Sequence, residues 1–255
     1  MEYFWKQQDD IPEGMGYPLF GFEHLLSVAI VLVMVLLVSY LFRRLKPEKQ
    51  SRILRAIPIA MVVLELSKDL LLIINHRFGL GYLPLHLCSI GIFVFFLREY
   101  LPWKSAKEFL GEVAFVLIMP ASVAALLDAD WTYLYPVWNF INLHSYVWHG
   151  LLVLYPLLLK LKGEIYPSIR HIHWVILFLG VTAVPVYLFD KKYQCNYFFV
   201  NWPIPNSPLA ILAEYMGNPG YLAGYAVLVV GAILVVYLFL WISNILRRGW
   251  KHNGQ

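Results

Sequence analysis

Hydrophobic residues along the chain gather into long runs that are separated by short polar connections. Each run is long enough for a helix of about 20 residues, the length that crosses the roughly 30 Å hydrocarbon core of a membrane. The runs predict seven membrane-spanning helices near residues 20–42, 52–75, 82–100, 107–127, 135–160, 171–190 and 220–246. The pattern therefore indicates an all-α, polytopic membrane protein in which residues 1–255 form a single domain, a seven-helix bundle.

Composition supports this prediction. Of the 255 residues, 60% are hydrophobic and only 14% are charged, whereas soluble proteins carry about 25% charged residues. The connections between the predicted spans are short, which leaves no room for a soluble domain. The two cysteines do not make a disulfide framework, and the sequence contains no glycine-rich nucleotide-binding loop.

Basic residues are distributed unevenly among the connections. Arg and Lys concentrate after the first, third, fifth and seventh predicted spans and are few elsewhere. Because cytoplasmic loops are enriched in Arg and Lys, we expect the N-terminus outside and the C-terminus in the cytoplasm, with the protein in the cell membrane. The same distribution accounts for the net charge of +4, so no nucleic-acid partner is expected.

Charged side chains inside the second span are the first candidates for chemistry. Glu65, Lys68 and Asp69 are spaced by three and four residues, which places them on one helix face. A charge in hydrocarbon costs about 2.5–3.5 kcal/mol on insertion scales, so each of these groups requires a partner or a role. Their spacing allows Glu65 and Lys68 to pair, and one interpretation is a structural ion pair between helices. The other is that Glu65 or Asp69 orients a catalytic histidine.

The fifth span contains a polar stripe within the sequence NFINLHSYVWHGLL. Asn142, Ser145 and His149 fall at positions i, i+3 and i+7 on one helix face, whereas His144 falls on another. At a rise of about 1.5 Å per residue, this stripe and the charges of the second span both lie in the outer half of the bundle. The arrangement predicts a polar pocket that opens outward.

The third span begins with a thiol and an imidazole in the sequence LPLHLCSIG. A cysteine is a nucleophile only as a thiolate, so Cys88 would require a base. Residues two apart face different directions on a helix, which favours His149 over His86 as that base and leaves His86 and Ser89 to line the pocket. The alternative is that Cys88 serves as a small buried hydrophobe. No histidines have the spacing of a helical zinc motif, so neither a metal nor a cofactor is expected.

Several short motifs in the chain resemble the YwaF-like integral membrane proteins of bacteria. The most specific is LPLHLC at residues 83–88. The others are the Glu-His pair at 23–24, Glu65, HGLL at 149–152 and the Asn-Tyr pair at 196–197. The YwaF-like proteins are related to a eukaryotic transmembrane acyltransferase that places polyunsaturated chains on ether phospholipids. The resemblance implies acyl transfer with Cys88 as the nucleophile, and it adds His24, Asn196 and Tyr197 to the pocket.

The sequence leaves three functions open. The first is a lipid acyltransferase or thioesterase that uses Cys88 and His149 and takes a phospholipid or lysophospholipid as its partner. The second is a transporter or ligand-binding membrane protein that recognises a polar head group in the same cavity through Lys68 and the neighbouring carboxylates. The third is a structural subunit in which the polar residues only hold helices together.

Overall fold

The computed structural model describes residues 2–205 and 207–252, with side chains up to Leu246. The described residues are mostly helical and include no strand. Internal contacts divide the chain into two compact units, Met1–Tyr166 and Pro167–Gln255. Among the described residues, four helical segments are long and apolar enough to cross a membrane. They are Phe22–Arg43, Lys104–Tyr133, Ile169–Tyr193 and Tyr221–Leu246.

The first unit is built around one central helix. Its helices are α1 (Phe22–Arg43), α2 (Pro47–Ile74), α3 (Leu87–Tyr100), α4 (Lys104–Val113), α5 (Met119–Leu127) and α6 (Phe140–Lys162). Helix α6 packs against α1, α2, α3 and α5. A buried π-helical turn, Ala114–Ile118, joins α4 to α5, so these two helices run on as the one segment that the hydrophobic pattern predicts.

Two helices begin later than the hydrophobic pattern predicts, and local chemistry explains both differences. Helix α3 begins at Leu87 because the backbone of His86 is extended, with φ −67° and ψ 152°, and the preceding residues form a short 3-10 turn and a bend. Helix α6 begins at Phe140 because the side chain of Asn139 accepts the N–H of Ile141 and caps the helix. Hydropathy cannot register either feature, since apolar residues continue on both sides of each boundary.

Residues 2–21, which we call the N-terminal segment, pack over the end of the unit where α6 begins. The Phe140 N–H donates to the Phe4 carbonyl at 2.8 Å, and the Asn139 side chain donates to the Tyr3 carbonyl at 2.7 Å. Farther along the segment, the Tyr17 hydroxyl donates to Asn142 Oδ1 at 2.9 Å, between residues 125 positions apart in sequence. The segment is thus fastened to α6 at several points.

The second unit contains α7 (Ile172–Tyr193), α8 (Pro208–Met216) and α9 (Tyr221–His252). Helix α7 ends at Gln194, which adopts the left-handed conformation with φ 56°. Helix α8 begins where the Ser207 hydroxyl accepts the N–H groups of Leu209 and Ala210, and it packs against α9.

Candidate functional site

Three helices of the first unit bring polar side chains together. We call this group the polar cluster, and its members are Glu65, Lys68 and Asp69 on α2, His86, Cys88 and Ser89 at the start of α3, and His144, Ser145 and His149 on α6. Electrostatic interactions connect the three helices. Lys68 and His149 are each close enough to interact electrostatically with His86 and with His144. Glu65 interacts in the same way with Cys88.

The charges on α2 pair within their own helix rather than between helices. The Lys68 ammonium lies 2.6 Å from Glu65 Oε1, which is a close, charge-assisted hydrogen bond. Its distance to Asp69 Oδ1 is 3.6 Å, too long for a good hydrogen bond. Asp69 Oδ1 is buried and has no hydrogen-bond partner among the described residues. The Lys68–Glu65 pair therefore offsets the charge of Glu65 and leaves Asp69 Oδ1 with only a longer ionic contact to Lys68.

The late start of α3 places Cys88 in the first turn of a helix. The first intrahelical bond joins the Ile90 N–H to the His86 carbonyl at 2.9 Å, so the amides before Ile90 are not used in the helix ladder. Ser89 and the backbone at the start of α3 lie near the Cys88 sulfur. A helix N-terminus favours negative charge, so this position suits a thiolate or a developing oxyanion. The Cys88 residue as a whole is half-buried.

His149 is held in one tautomer by its own helix. Its Nδ1 atom lies 2.8 Å from the Ser145 carbonyl oxygen. Because a carbonyl oxygen only accepts, Nδ1 carries the proton and Nε2 is left as the basic nitrogen. The sequence predicts Glu65 or Asp69 as the group that orients this imidazole, but the structure gives that contact to a backbone carbonyl one turn earlier.

His144 belongs to the polar cluster, although the helical period of the stripe assigns it to another face. It interacts with the backbone of Leu64 on α2, and its ring stacks on Trp148 at 5.5 Å between centroids. Its Nε2 atom is buried with no hydrogen-bond partner among the described residues. Helix α6 has neighbours on several sides, so a polar residue off the main stripe still meets another helix. The sequence signal that indicates its role is a second histidine five residues from His149 in the same helix.

Two residues predicted to line the pocket have their polar atoms engaged elsewhere. His24 is fully buried, where its Nδ1 accepts the Phe20 N–H at 3.0 Å and its Nε2 donates to the Leu126 carbonyl at 3.0 Å. Asn142 accepts from the Tyr17 hydroxyl and donates to the Val137 carbonyl at 2.8 Å. His24 thus joins α1 to α5, and Asn142 anchors the N-terminal segment.

Asn196 and Tyr197 lie in the second unit, in the connection after α7. Asn196 Oδ1 accepts the N–H groups of Asn201 and Trp202, both at 3.1 Å, and its amide donates to the Trp202 carbonyl at 3.0 Å. The Tyr197 side chain is buried within the same unit. In the structure, the Asn196 side chain closes the loop that follows α7.

The polar cluster thus combines a half-buried thiol at a helix N-terminus, an imidazole in a fixed tautomer and an internal ion pair. Comparison with known protein families matches the TMEM164 family over residues 19–241. The chain belongs to the TMEM164 family. The match covers most of the chain and includes every residue of the polar cluster.

Membership of the TMEM164 family and the four apolar helices together make this a helical membrane protein. No curated protein and no solved structure matches the chain. Among the residues that the structure describes, no group of three or more His, Cys, Asp or Glu side chains is arranged to hold a metal ion.

Proposed function

We propose that this TMEM164-family chain crosses the cell membrane seven times, with its N-terminus outside and its C-terminus in the cytoplasm. The spans are α1, α2, α3, the continuous segment from α4 to α5, α6, α7 and α9. Helices α2 and α6 carry charged and polar side chains within the membrane. Helix α3 is only 14 residues long, so its crossing includes the turns from Leu80 to His86 that precede it. In this orientation the polar cluster lies in the outer half of the membrane, and the loops rich in Arg and Lys face the cytoplasm.

We further propose that the protein is a thiol-dependent phospholipid acyltransferase or thioesterase. The observation that carries this proposal is the position of Cys88 in the first turn of α3, where the backbone amides before Ile90 are not used in the helix ladder. The resemblance of residues 83–88 to the acyltransferase-related YwaF-like proteins points to the same atom.

The reaction has two steps. In the first, His149 Nε2 takes the proton of Cys88, and the thiolate attacks the ester carbonyl of a phospholipid. The amides at the start of α3 stabilise the oxyanion, the ester C–O bond breaks, and His149 returns the proton to the departing lysophospholipid. In the second, a lysolipid hydroxyl or a water molecule gives its proton to His149 and attacks the thioester, and the thiol is restored.

Glu65, Lys68 and Asp69 support a second candidate function, the binding or transport of a polar head group. The observation in its favour is that Asp69 Oδ1 and His144 Nε2 are buried and lack hydrogen-bond partners among the described residues. Buried polar atoms are rarely left unpaired, so such atoms are suited to a ligand. In the acyltransferase, the same atoms would hold the head group of the lipid.

Intact-mass spectrometry of the purified protein after incubation with a phospholipid tests the proposal. We expect an adduct of acyl mass that hydroxylamine removes, because hydroxylamine cleaves thioesters. The adduct should be absent from Cys88→Ala. The matched control is Cys195→Ala, since Cys195 is the other free cysteine and is also half-buried.

An acyl adduct that persists in Cys88→Ala would contradict the proposed nucleophile. Absence of any adduct, combined with phospholipid binding that depends on Asp69 and not on Cys88, would replace the acyltransferase with the head-group binding protein.

A further inference from the structure

The indole of Trp131 lies flat against the imidazole of His149. The two ring centroids are 5.2 Å apart and the planes differ by only 7°. Trp131 belongs to the short 3-10 turn Asp130–Tyr133, between α5 and α6, so this contact comes from outside the helix that carries His149. Stacking restricts rotation of the imidazole, while the Ser145 carbonyl fixes its Nδ1 atom.

Trp131 is itself supported by the N-terminal segment. The Tyr17 N–H donates to the Thr132 carbonyl at 2.8 Å. A Cβ atom on Gly16 would lie 2.3 Å from the Tyr133 carbonyl oxygen, so the backbone of the segment presses directly on the turn. The indole also meets Tyr146 edge-on, at 5.7 Å between centroids. The ring that covers His149 is therefore held from two sides.

The indole nitrogen of Trp131 is a buried hydrogen-bond donor without a partner among the described residues. Leaving such a donor unpaired costs free energy, and native proteins do so where a ligand or water completes the bond. This donor belongs to the ring that is stacked on His149. A substrate that reaches His149 therefore comes within reach of the indole N–H.

We propose that Trp131 is a positioning residue for His149 and that its indole N–H binds an oxygen acceptor of the lipid substrate. The inference rests on the proposed acyl transfer and assigns the side chain that aligns the base and helps to select the substrate. The flat face fixes the imidazole so that Nε2 points at the reacting atoms, and the N–H favours a substrate that presents an oxygen at that point.

Two substitutions separate these roles. Trp131→Phe keeps an aromatic face and removes the N–H, so we expect KM for the phospholipid to rise about 3- to 10-fold, with kcat within twofold. Trp131→Leu removes the flat face as well, so we expect kcat to fall at least about 10-fold. Trp138 provides the matched control, because its side chain is 72% exposed and the same substitutions there should change neither constant.

A second measurement does not depend on turnover. The ¹⁵N NMR signal of His149, assigned by its loss in His149→Gln, should report a single Nδ1-protonated tautomer in the wild type. Trp131→Leu should show a mixture, because an imidazole that is no longer stacked can rotate away from the Ser145 carbonyl. An unchanged tautomer in Trp131→Leu would overturn the positioning role, and an unchanged KM in Trp131→Phe would overturn the binding role. A wild type without a thioester adduct, but with the expected tautomer change, would refute the acyltransferase and keep the positioning of His149 by Trp131.

Discussion

The two ends of the first unit both bury charged side chains, but they differ in how completely these are paired. At the end where α3 begins, the polar cluster leaves Asp69 Oδ1 and His144 Nε2 without hydrogen-bond partners among the described residues. At the end where α3 stops, a second group forms a nearly closed set of short contacts. We call it the ionic network, and its members are Ser51, Arg98, Glu99, Tyr155, Lys162 and Glu164.

The ionic network uses almost every polar atom that it contains. Arg98 lies 2.7 Å from Glu99 Oε1 and 2.6 Å from Glu164 Oε2. The Tyr155 hydroxyl donates to Glu99 at 2.6 Å, and Lys162 bridges Glu164 and Ser51 at 2.5 Å and 2.6 Å. Arg98 Nε is the exception, since it has no partner among the described residues.

This difference in pairing indicates a structural role for the ionic network and a binding role for the polar cluster. A nearly saturated network of charges fixes helix ends against one another and leaves little capacity for a ligand. An unsaturated cluster tolerates free donors and acceptors, a state that persists where a substrate completes the bonds. Substitutions in the polar cluster should therefore lower activity, and substitutions in the ionic network should lower stability.

The largest expected effect is on the rate of acyl transfer in His149→Gln. Loss of a general base lowers a rate by roughly 10²- to 10⁴-fold, whereas the thermal unfolding midpoint should change little because glutamine is also polar and similar in size. Turnover and unfolding are measured on the same detergent preparation. His173→Gln, at an exposed position of the second unit, is the control. Equal losses of activity and stability in His149→Gln would make the residue structural.

Arg98→Met should produce the opposite outcome at the ionic network. Removing one partner of a buried ion pair leaves Glu99 uncompensated, so we expect the free energy of unfolding to fall by about 3–5 kcal/mol. Lys104→Met is matched to it, because the Lys104–Glu108 pair is exposed and separated by 3.8 Å, and such pairs contribute about 0–1 kcal/mol. The free energies of unfolding are measured by denaturant titration. Similar losses in Arg98→Met and Lys104→Met would show that the ionic network stabilises the protein no more than an exposed ion pair does.

The carboxylates of the polar cluster should respond unequally. Glu65→Gln removes the 2.6 Å partner of Lys68, so we expect the free energy of unfolding to fall by about 1–3 kcal/mol. Asp69→Asn changes a group without a good hydrogen bond, so stability should stay within about 0.5 kcal/mol while phospholipid binding weakens. Binding measured by calorimetry in detergent, beside unfolding of the same variants, distinguishes the two. If the Asp69→Asn variant were destabilised but bound phospholipid normally, Asp69 would have a structural role and not the proposed role in binding.

The smallest effect is a dependence of stability on pH that arises from Glu164, in the loop after α6. Burial raises the pKa of Glu164, but hydrogen bonds from Lys162 and Arg98 outweigh it and hold the pKa below its ordinary value of 4.5. The contribution of Glu164 is therefore complete above pH 4.5 and is lost as the pH falls through the lowered pKa. Unfolding midpoints measured from pH 7 down to pH 3 should fall less steeply in Glu164→Gln. Parallel curves for the wild type and Glu164→Gln would exclude the Glu164 carboxylate as the source of the pH dependence.

The sequence predicts most of the long helices because long apolar runs are a strong signal. It places the start of α2 five residues too late and does not predict α8. It places α1 within two residues of its observed start and detects the segment that α4 and α5 share. It does not predict the start of α3 at Leu87, since the extended backbone at His86 is a local feature among apolar residues. That boundary matters for the proposed function, because it places Cys88 in the first turn of the helix and not in its body.

The site was predicted through side chains on a common helix face, and that reasoning reaches only part of it. The pairing of Glu65 with Lys68 follows from their spacing and is observed. His144 and Trp131 depend on contacts between elements that are far apart in sequence, and Trp131 lies in a turn with no periodicity to interpret. The roles of His24 and Asn142 in holding other segments likewise follow from tertiary contacts that no single helix pattern contains.

The N-terminal segment also imposes an order in time. The Tyr17 hydroxyl meets Asn142, a residue 125 positions later in the chain, and ribosomes add about 5–20 residues per second. Roughly 6–25 seconds therefore pass between the synthesis of Tyr17 and that of its partner. For most of this interval the turn that carries Trp131 has not been made either, so the support of His149 is completed only after α6 has been made. A segment that is among the first to be synthesised is thus among the last to find its place.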